Sequence, residues 1–260
     1  MSLKSLEFSI ENSVARIILN RPDIGNPMNG DSVSELEHVA HLCDNDPNVR
    51  AVLLTANGNV FCVGGDLRMF KTLGDRTSIQ LKLFADQLHK AISVFARMDA
   101  PLVIAVNGFA AGGGFSLSMI GDYVLAAESA KFTMAYTKAG LSPDGGSSYV
   151  LPRLIGLRRT QELMITNRVL KAAEAADWGL VTRIVPDAEL PAALEALAAE
   201  VATQPRGSNA AVKQLLLTTY GADYETQLER EGRLIAKCAG SADGKEGVGA
   251  FVGKRKAEFG

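Results

Sequence analysis

The chain has 260 residues, of which 47% are hydrophobic and 22% charged, so it can bury a core of one large or two small domains. Its 27 basic and 29 acidic residues nearly cancel, which leaves no long-range field to attract nucleic acid. The three cysteines form no CxxC pair, and this argues against a disulfide framework or a zinc site. No apolar run has the length of a membrane span or a signal peptide. We therefore expect a cytoplasmic protein without membrane or nucleic-acid partners.

The first 130 residues alternate between short apolar runs and segments with helical spacing of apolar residues. The predicted strands are residues 8–10, 14–19, 51–55, 102–106 and 123–126, and the predicted helices are residues 32–42 and 78–97 and a helix from about residue 113. Such alternation of strand and helix is typical of an α/β fold.

The chain beyond residue 156 has a different pattern, because nearly every segment there has helical spacing. The predicted helices are residues 158–167, 172–178, 190–203, 208–220 and 224–238. Alanine-rich segments among them have high helix propensity and one apolar face. We expect these helices to cover the sheet or a neighbouring subunit.

Two glycine-rich turns, residues 62–67 (Cys-Val-Gly-Gly-Asp-Leu) and 107–114 (Asn-Gly-Phe-Ala-Ala-Gly-Gly-Gly), each follow an apolar strand and precede a helix. Either turn alone is explained by the backbone angles that glycine permits. Two such turns together can direct one backbone amide each at a single oxygen, which is the geometry that stabilises an enolate. Neither turn contains the glycine patterns that bind dinucleotides or ATP.

Both turns resemble signatures of the crotonase (enoyl-CoA hydratase/isomerase) superfamily. Residues 61–67 resemble the signature whose Gly-x-Asp triplet supplies the first oxyanion amide, here that of Gly65. Residues 106–114 resemble the second signature, whose middle glycine, here Gly113, supplies the other amide. The resemblance continues through residues 19–22, 140–146, 173–181 and 251–255. It covers nearly the whole chain in order.

The resemblance implies an α/β fold, a crotonase-like spiral of ββα units, in which residues 1–200 form the core. Residues 201–260 would form a C-terminal helical region that assembles a homotrimer or a dimer of trimers. The expected partner is an acyl-CoA thioester. No cofactor or metal is implied, since coenzyme A is part of the substrate.

The resemblance also implies contacts with coenzyme A and the acyl group. The backbone near Val63 would contact the adenine, and Arg68 the phosphates. Phe251 and Lys254 would contribute from the C-terminal helix, either of the same chain or of a neighbouring subunit. A solvated helix face is the alternative interpretation of Arg68 and Lys254. The remaining residues implied in coenzyme A and substrate binding are Asp66, Tyr136 and Leu141.

The expected reaction depends on which acids the site contains. Hydratases of this family use two glutamates, and the corresponding positions here are Ser116 and Tyr136, neither of which can serve as a carboxylate base. Asp144 lies where isomerases and dehalogenases of the family place a functional aspartate. Its local alternative is a turn and N-cap role. We expect Asp144 to move a proton as base and then acid, converting a 3-enoyl-CoA or a related cyclic acyl-CoA to its 2-enoyl isomer.

Three other functions are kept as alternatives. The first is an enoyl-CoA hydratase. The second is aromatic acyl-CoA hydrolysis like that of 4-chlorobenzoyl-CoA dehalogenase, with Asp144 as nucleophile and His89 as the plausible base. The third is a non-catalytic acyl-CoA-binding protein, which should tolerate Asp144→Asn without loss of function.

Overall fold

The computed structural model describes residues 3–260. Its strands are β1 Leu6–Glu11, β2 Val14–Leu19, β3 Ala51–Ala56, β4 Val60–Cys62, β5 Leu102–Val106, β6 Phe109–Ala111, β7 Tyr123–Ala127, β8 Lys131–Thr133, β9 Leu170–Lys171 and β10 Arg183–Val185. Its helices are α1 Gly30–Asn45, α2 Leu67–Thr72, α3 Thr77–Arg97, α4 Gly113–Ser118, α5 Ser147–Ile155, α6 Leu157–Thr166, α7 Ala172–Asp177, α8 Leu190–Ala202, α9 Arg206–Thr218, α10 Tyr224–Gly240 and α11 Ala242–Val252.

The strands form two sheets. The larger sheet has the order β1-β2-β3-β5-β7-β10, and the smaller one has the order β4-β6-β8-β9. β1 and β2 are an antiparallel hairpin, whereas β2, β3, β5, β7 and β10 pair in parallel. Each of the pairs β3–β4, β5–β6 and β7–β8 places its first strand in the large sheet and its second in the small one. This repeat confirms the ββα spiral expected from the sequence.

The core lies between the sheets and the helices that cover them. All five residues of β5 are buried, as expected for a central parallel strand with both faces covered. Helix α8 packs on β3 and β5, and α1 packs along α3. The short helix α4 is buried throughout, which its glycine-rich sequence permits.

The predicted strands and helices are all present, and their ends differ by a few residues. The predicted glycine-rich turn after β5 is wrong in one respect, because it contains strand β6. β4, β8 and β9 were not predicted as strands, and neither was β10. The predicted boundary at residue 200 falls within the last turn of α8, so the division into two regions stays a prediction. Among residues 3–260, every helix is too short or too polar to cross a bilayer.

Candidate active site

A largely apolar cavity of about 450 Å³ lies between α3 and the two glycine-rich turns. Its hydrophobic wall includes Phe84 and Leu88 of α3. Six residues that were singled out in the sequence line it: Val63, Gly65, Gly113, Tyr136, Leu141 and Asp144. The cavity therefore gathers both glycine turns and the candidate acid, although these segments are far apart in the chain.

The first glycine turn directs the amide of Gly65 away from Met28, the residue with which Gly65 forms an isolated parallel bridge. Met28 N donates to Gly64 O at 2.8 Å, and Asp66 N donates to Met28 O at 2.8 Å. Because C=O and N–H point in opposite directions across a trans peptide and Gly64 O faces Met28, the Gly65 amide faces the other way. Gly64 has φ of 88°, and a Cβ there would lie 2.7 Å from Ala111 O, so both backbone angle and space require glycine.

The second glycine turn leaves another amide unpaired. Gly112, with φ of 52°, ends the turn, and Gly113 is the first residue of α4, where an amide has no acceptor within the helix. Gly113 N would lie 3.1 Å from a Cβ built on Gly64, so the two turns are in close contact. Within residues 3–260, neither the Gly65 nor the Gly113 amide donates to another protein group. The arrangement can present two amide donors to one ligand oxygen, and their role as an oxyanion hole remains a prediction.

Two hydroxyl groups contact Asp144, that of Tyr136 at the carboxylate and that of Ser116 at the main-chain oxygen. Tyr136 Oη donates to Asp144 Oδ1 at 2.6 Å, and Tyr136 Oη lies 2.8 Å from Ser116 Oγ. Ser116 Oγ is also 2.9 Å from the main-chain oxygen of Asp144. Gly145, with φ of 62°, packs against Ser116 so closely that a Cβ would lie 2.6 Å from Ser116 Cβ. Two positions that carry glutamate in hydratases thus hold a pair of hydroxyls that contacts the candidate acid.

Tyr136 is the donor in this arrangement for an electrostatic reason. Burial raises the pKa of the Tyr136 phenol far above its ordinary value, and the negative charge of Asp144 raises it further. The phenol therefore keeps its proton at neutral pH and can donate it to the Asp144 carboxylate.

Of the two local roles predicted for Asp144, the turn is present, because Ser147 N donates to Asp144 O at 3.2 Å, and the helix cap is wrong. The N-cap of α5 is Gly146, and no side chain caps that helix. The main-chain oxygen of Asp144 accepts bonds from Ser147, but its carboxylate instead accepts the bond from Tyr136. The side chain of Asp144 is therefore directed to the cavity network and not to the helix end.

His89, the candidate base of the hydrolytic alternative, does not line the cavity. Its Nε2 accepts the backbone amide of Gly145 at 3.1 Å, and the side chain lies on the exposed surface of α3. His89 Nε2 is thus occupied by a backbone amide and lies outside the cavity that contains Asp144.

The remaining sequence-predicted residues lie outside the cavity lining. The Asp66 carboxylate caps α2, because it accepts the amides of Arg68 at 3.1 Å and Met69 at 3.2 Å. Arg68 is exposed on α2. Phe251, in the last turn of α11, is 87% exposed, and Lys254 lies two residues beyond the end of that helix. Their contacts with coenzyme A stay predictions.

The comparisons with known proteins agree with this architecture. The family model for enoyl-CoA hydratase/isomerase matches residues 9–260, and the chain belongs to that family. It is 34% identical over 251 residues to 1,2-epoxyphenylacetyl-CoA isomerase of Escherichia coli K12, covering 96% of each chain. It is 30% identical to crotonyl-CoA hydratase of Syntrophomonas wolfei, covering 100% of this chain and 99% of the relative.

A solved structure of an enoyl-CoA hydratase/isomerase from Cupriavidus metallidurans CH34 superposes with a TM-score of 0.92 at 29% identity, covering 100% of this chain and 97% of that one. The protein is therefore an enzyme of the enoyl-CoA hydratase/isomerase family, whose members include both isomerases and hydratases by name.

Proposed function

We propose that this protein is an acyl-CoA isomerase that shifts a double bond from the 3 to the 2 position, or performs the related shift in a cyclic acyl-CoA. The observation that carries the proposal is the cavity itself, in which Asp144 shares the lining with the unpaired amides of Gly65 and Gly113. Among the residues lining the cavity, Asp144 is the sole carboxylate. One carboxylate is sufficient to move a proton between two carbons of the same substrate.

The proposed reaction has two proton transfers. Asp144 takes a proton from the α-carbon, and the electron pair of that C–H bond moves into the thioester to give a dienolate. The amides of Gly65 and Gly113 stabilise the negative oxygen, each by roughly 3 kcal/mol in comparable oxyanion holes. The carbonyl then re-forms, the double bond moves to the α,β position, and the γ-carbon takes the proton from Asp144. No atom is gained or lost.

The hydratase alternative is less well supported by the residues of the cavity. Addition of water needs one group that activates water and one that moves the α-proton. The hydroxyls of Ser116 and Tyr136 contact each other and Asp144, and neither is a carboxylate. Relatives at 34% identity are named both as an isomerase and as a probable enoyl-CoA hydratase, so the choice depends on the residues of the cavity.

The proposed substrate and assembly follow the family. We propose that coenzyme A binds along Val63 and Arg68, and that the chains form a trimer or a dimer of trimers. The C-terminal helices expose large hydrophobic side chains, among them Leu216 at 66%, Ile235 at 72% and Phe251 at 87%. Burial between subunits would remove these side chains from water, and their exposure supports the proposed assembly.

The decisive experiment compares wild-type protein with Asp144→Asn on a 3-enoyl-CoA, a 2-enoyl-CoA and a halogenated benzoyl-CoA. Products are followed by mass spectrometry in deuterated solvent. We expect wild type to isomerise the 3-enoyl-CoA and Asp144→Asn to lose about a hundredfold or more in kcat, the usual contribution of a general base.

The matched control is Asp75→Asn, which alters an exposed aspartate in the turn before α3. It should isomerise at the wild-type rate. Net hydration of the 2-enoyl-CoA, halide release, or full activity in Asp144→Asn would each contradict the proposal.

A further inference from the structure

Ser116 is completely buried behind the cavity, yet its hydroxyl contacts two oxygens of the candidate site. It lies 2.8 Å from Tyr136 Oη and 2.9 Å from the main-chain oxygen of Asp144. A hydroxyl group has one proton to donate. The role of Ser116 therefore depends on which of these two oxygens accepts its hydrogen bond.

The main-chain oxygen of Asp144 has enough donors without Ser116. Ser147 donates to it twice, from Oγ at 2.8 Å and from its amide at 3.2 Å. A carbonyl oxygen has two lone pairs, and Ser147 alone supplies two donors for them. Ser116 Oγ, at 2.9 Å, is placed as a third donor to this oxygen, so its single proton is not needed there and can be donated to Tyr136 Oη instead.

The proton of Tyr136 is directed to Asp144. An ionised carboxylate only accepts hydrogen bonds, so Tyr136 must be the donor across the 2.6 Å contact with Oδ1. The three groups then form a chain in a single direction, from Ser116 to Tyr136 to Asp144. In such a chain each donated bond polarises the next and strengthens it.

The two oxygens of the carboxylate are consequently different. Oδ1 accepts the hydrogen bond from Tyr136, whereas no group within residues 3–260 donates to Oδ2. Asp144 lines the cavity, so its second oxygen is the one left for the substrate.

We infer that Ser116 is a positioning residue that acts through Tyr136 to fix the Asp144 carboxylate, leaving Oδ2 as the atom that carries the proton. This inference rests on the proposed isomerase function and assigns a role to the two hydroxyls that replace glutamates. Ser116 does not touch the substrate. Its effect is to hold the carboxylate in one rotational state through both proton transfers.

The test is a double-mutant cycle of Ser116→Ala and Tyr136→Phe, with kcat and KM measured on a 3-enoyl-CoA. The matched control is Ser118→Ala, because Ser118 is also buried on α4 but donates only to Phe115 O. We expect each single variant to lower kcat about tenfold while KM stays nearly constant, as for an interaction that acts in the transition state. Ser118→Ala should keep the wild-type kcat.

The double variant shows whether Ser116 and Tyr136 act as one chain of hydrogen bonds or contact Asp144 independently. If Ser116 acts through Tyr136, Ser116→Ala has no further effect on kcat once Tyr136 is phenylalanine. Deuterium uptake per turnover should also rise in both single variants, since a mobile carboxylate exchanges its proton with solvent before returning it.

The outcomes distinguish this inference from the proposed function. If Asp144→Asn is inactive but Ser116→Ala has wild-type kcat, the inference is wrong and the isomerase proposal stands. Independent, multiplicative effects of the two hydroxyls would also overturn it. If Ser116→Ala does not fold, Tyr136→Phe alone tests the inference. Unchanged kcat in Tyr136→Phe would contradict the hydrogen-bond chain from Ser116 to Asp144. Full activity of Asp144→Asn contradicts the proposed function itself.

Discussion

Lys213 on α9 is a buried cation with an unusual set of partners. Its Nζ donates to Asp122 Oδ2 at 2.7 Å and to the main-chain oxygens of Phe95 and Ala100 at 3.0 and 3.1 Å. Asp122 Oδ2 in turn accepts the amide of Leu102 at the start of β5. One ammonium group thus joins α9 to the end of α3 and, through Asp122, to the start of the central strand β5.

We expect Lys213→Met to lower the free energy of unfolding by roughly 3 kcal/mol, because it leaves a partly buried carboxylate and two carbonyls without their donor. The measurement is urea denaturation at neutral pH. Lys237→Met, an exposed lysine on α10, is the control and should change the midpoint little. A loss in Lys213→Met no larger than in the control would show that the ion pair is not stabilising.

The sequence predicted the individual residues of the site better than their mutual contacts. Gly65, Gly113 and Asp144 were placed in one site through family motifs, and all three line the cavity. The bonds among Ser116, Tyr136 and Asp144 were not predicted, because they depend on how separate turns fold against each other. The backbone next to Tyr136 also departs from what residue type indicates, because Ala135 has a positive φ of 54°.

At the level of the elements, the two glycine turns are held together by backbone contact. A Cβ on Gly114 would lie 2.2 Å from Cys62 O, and one on Gly108 would lie 2.1 Å from Asn59 O. These distances are too short for any side chain, so strands β4 and β6 pair closely because both sites are glycine.

We expect Gly114→Ala to destabilise the protein by about 2–3 kcal/mol and to reduce kcat, because the added methyl forces β4 away from α4. Gly207→Ala is the matched control, since a Cβ there has no heavy atom within 4 Å and the residue lies in α9. The control should be neutral or slightly more stable. Thermal unfolding and turnover of a 3-enoyl-CoA measure both effects. Equal behaviour of the two variants would refute the steric argument.

The strands that were not predicted from the sequence were missed for a common physical reason. β4, β6 and β8 have three residues each, too few to display a two-residue period of side chains. Their pairing is with strands distant in the chain, and local propensity carries no signal for it. The longer strands and helices have clear periods and were predicted correctly.

For the whole molecule, the exposed hydrophobic side chains of the C-terminal helices predict association. We expect the protein to sediment as a trimer or a multiple of it, and Ile235→Glu on α10 to shift it toward a monomer, because a charge cannot be buried there without a partner. Ile24→Glu, an exposed isoleucine outside those helices, is the control. Analytical ultracentrifugation at several concentrations measures the oligomeric state of the wild-type protein and of both variants. A monomeric wild-type protein would contradict the proposed assembly.

The cavity has one further consequence for how the chain can vary over evolution. Among residues 3–260, every residue that lines it lies between positions 28 and 144. The helices that expose the hydrophobic surface begin at residue 206. Mutations in the last part of the chain can therefore change which copies associate, and mutations in the first part can change which acyl group is accepted, with few positions under both constraints. If the chains assemble through these helices as proposed, a lineage of such enzymes can diversify its substrates without changing its subunit contacts.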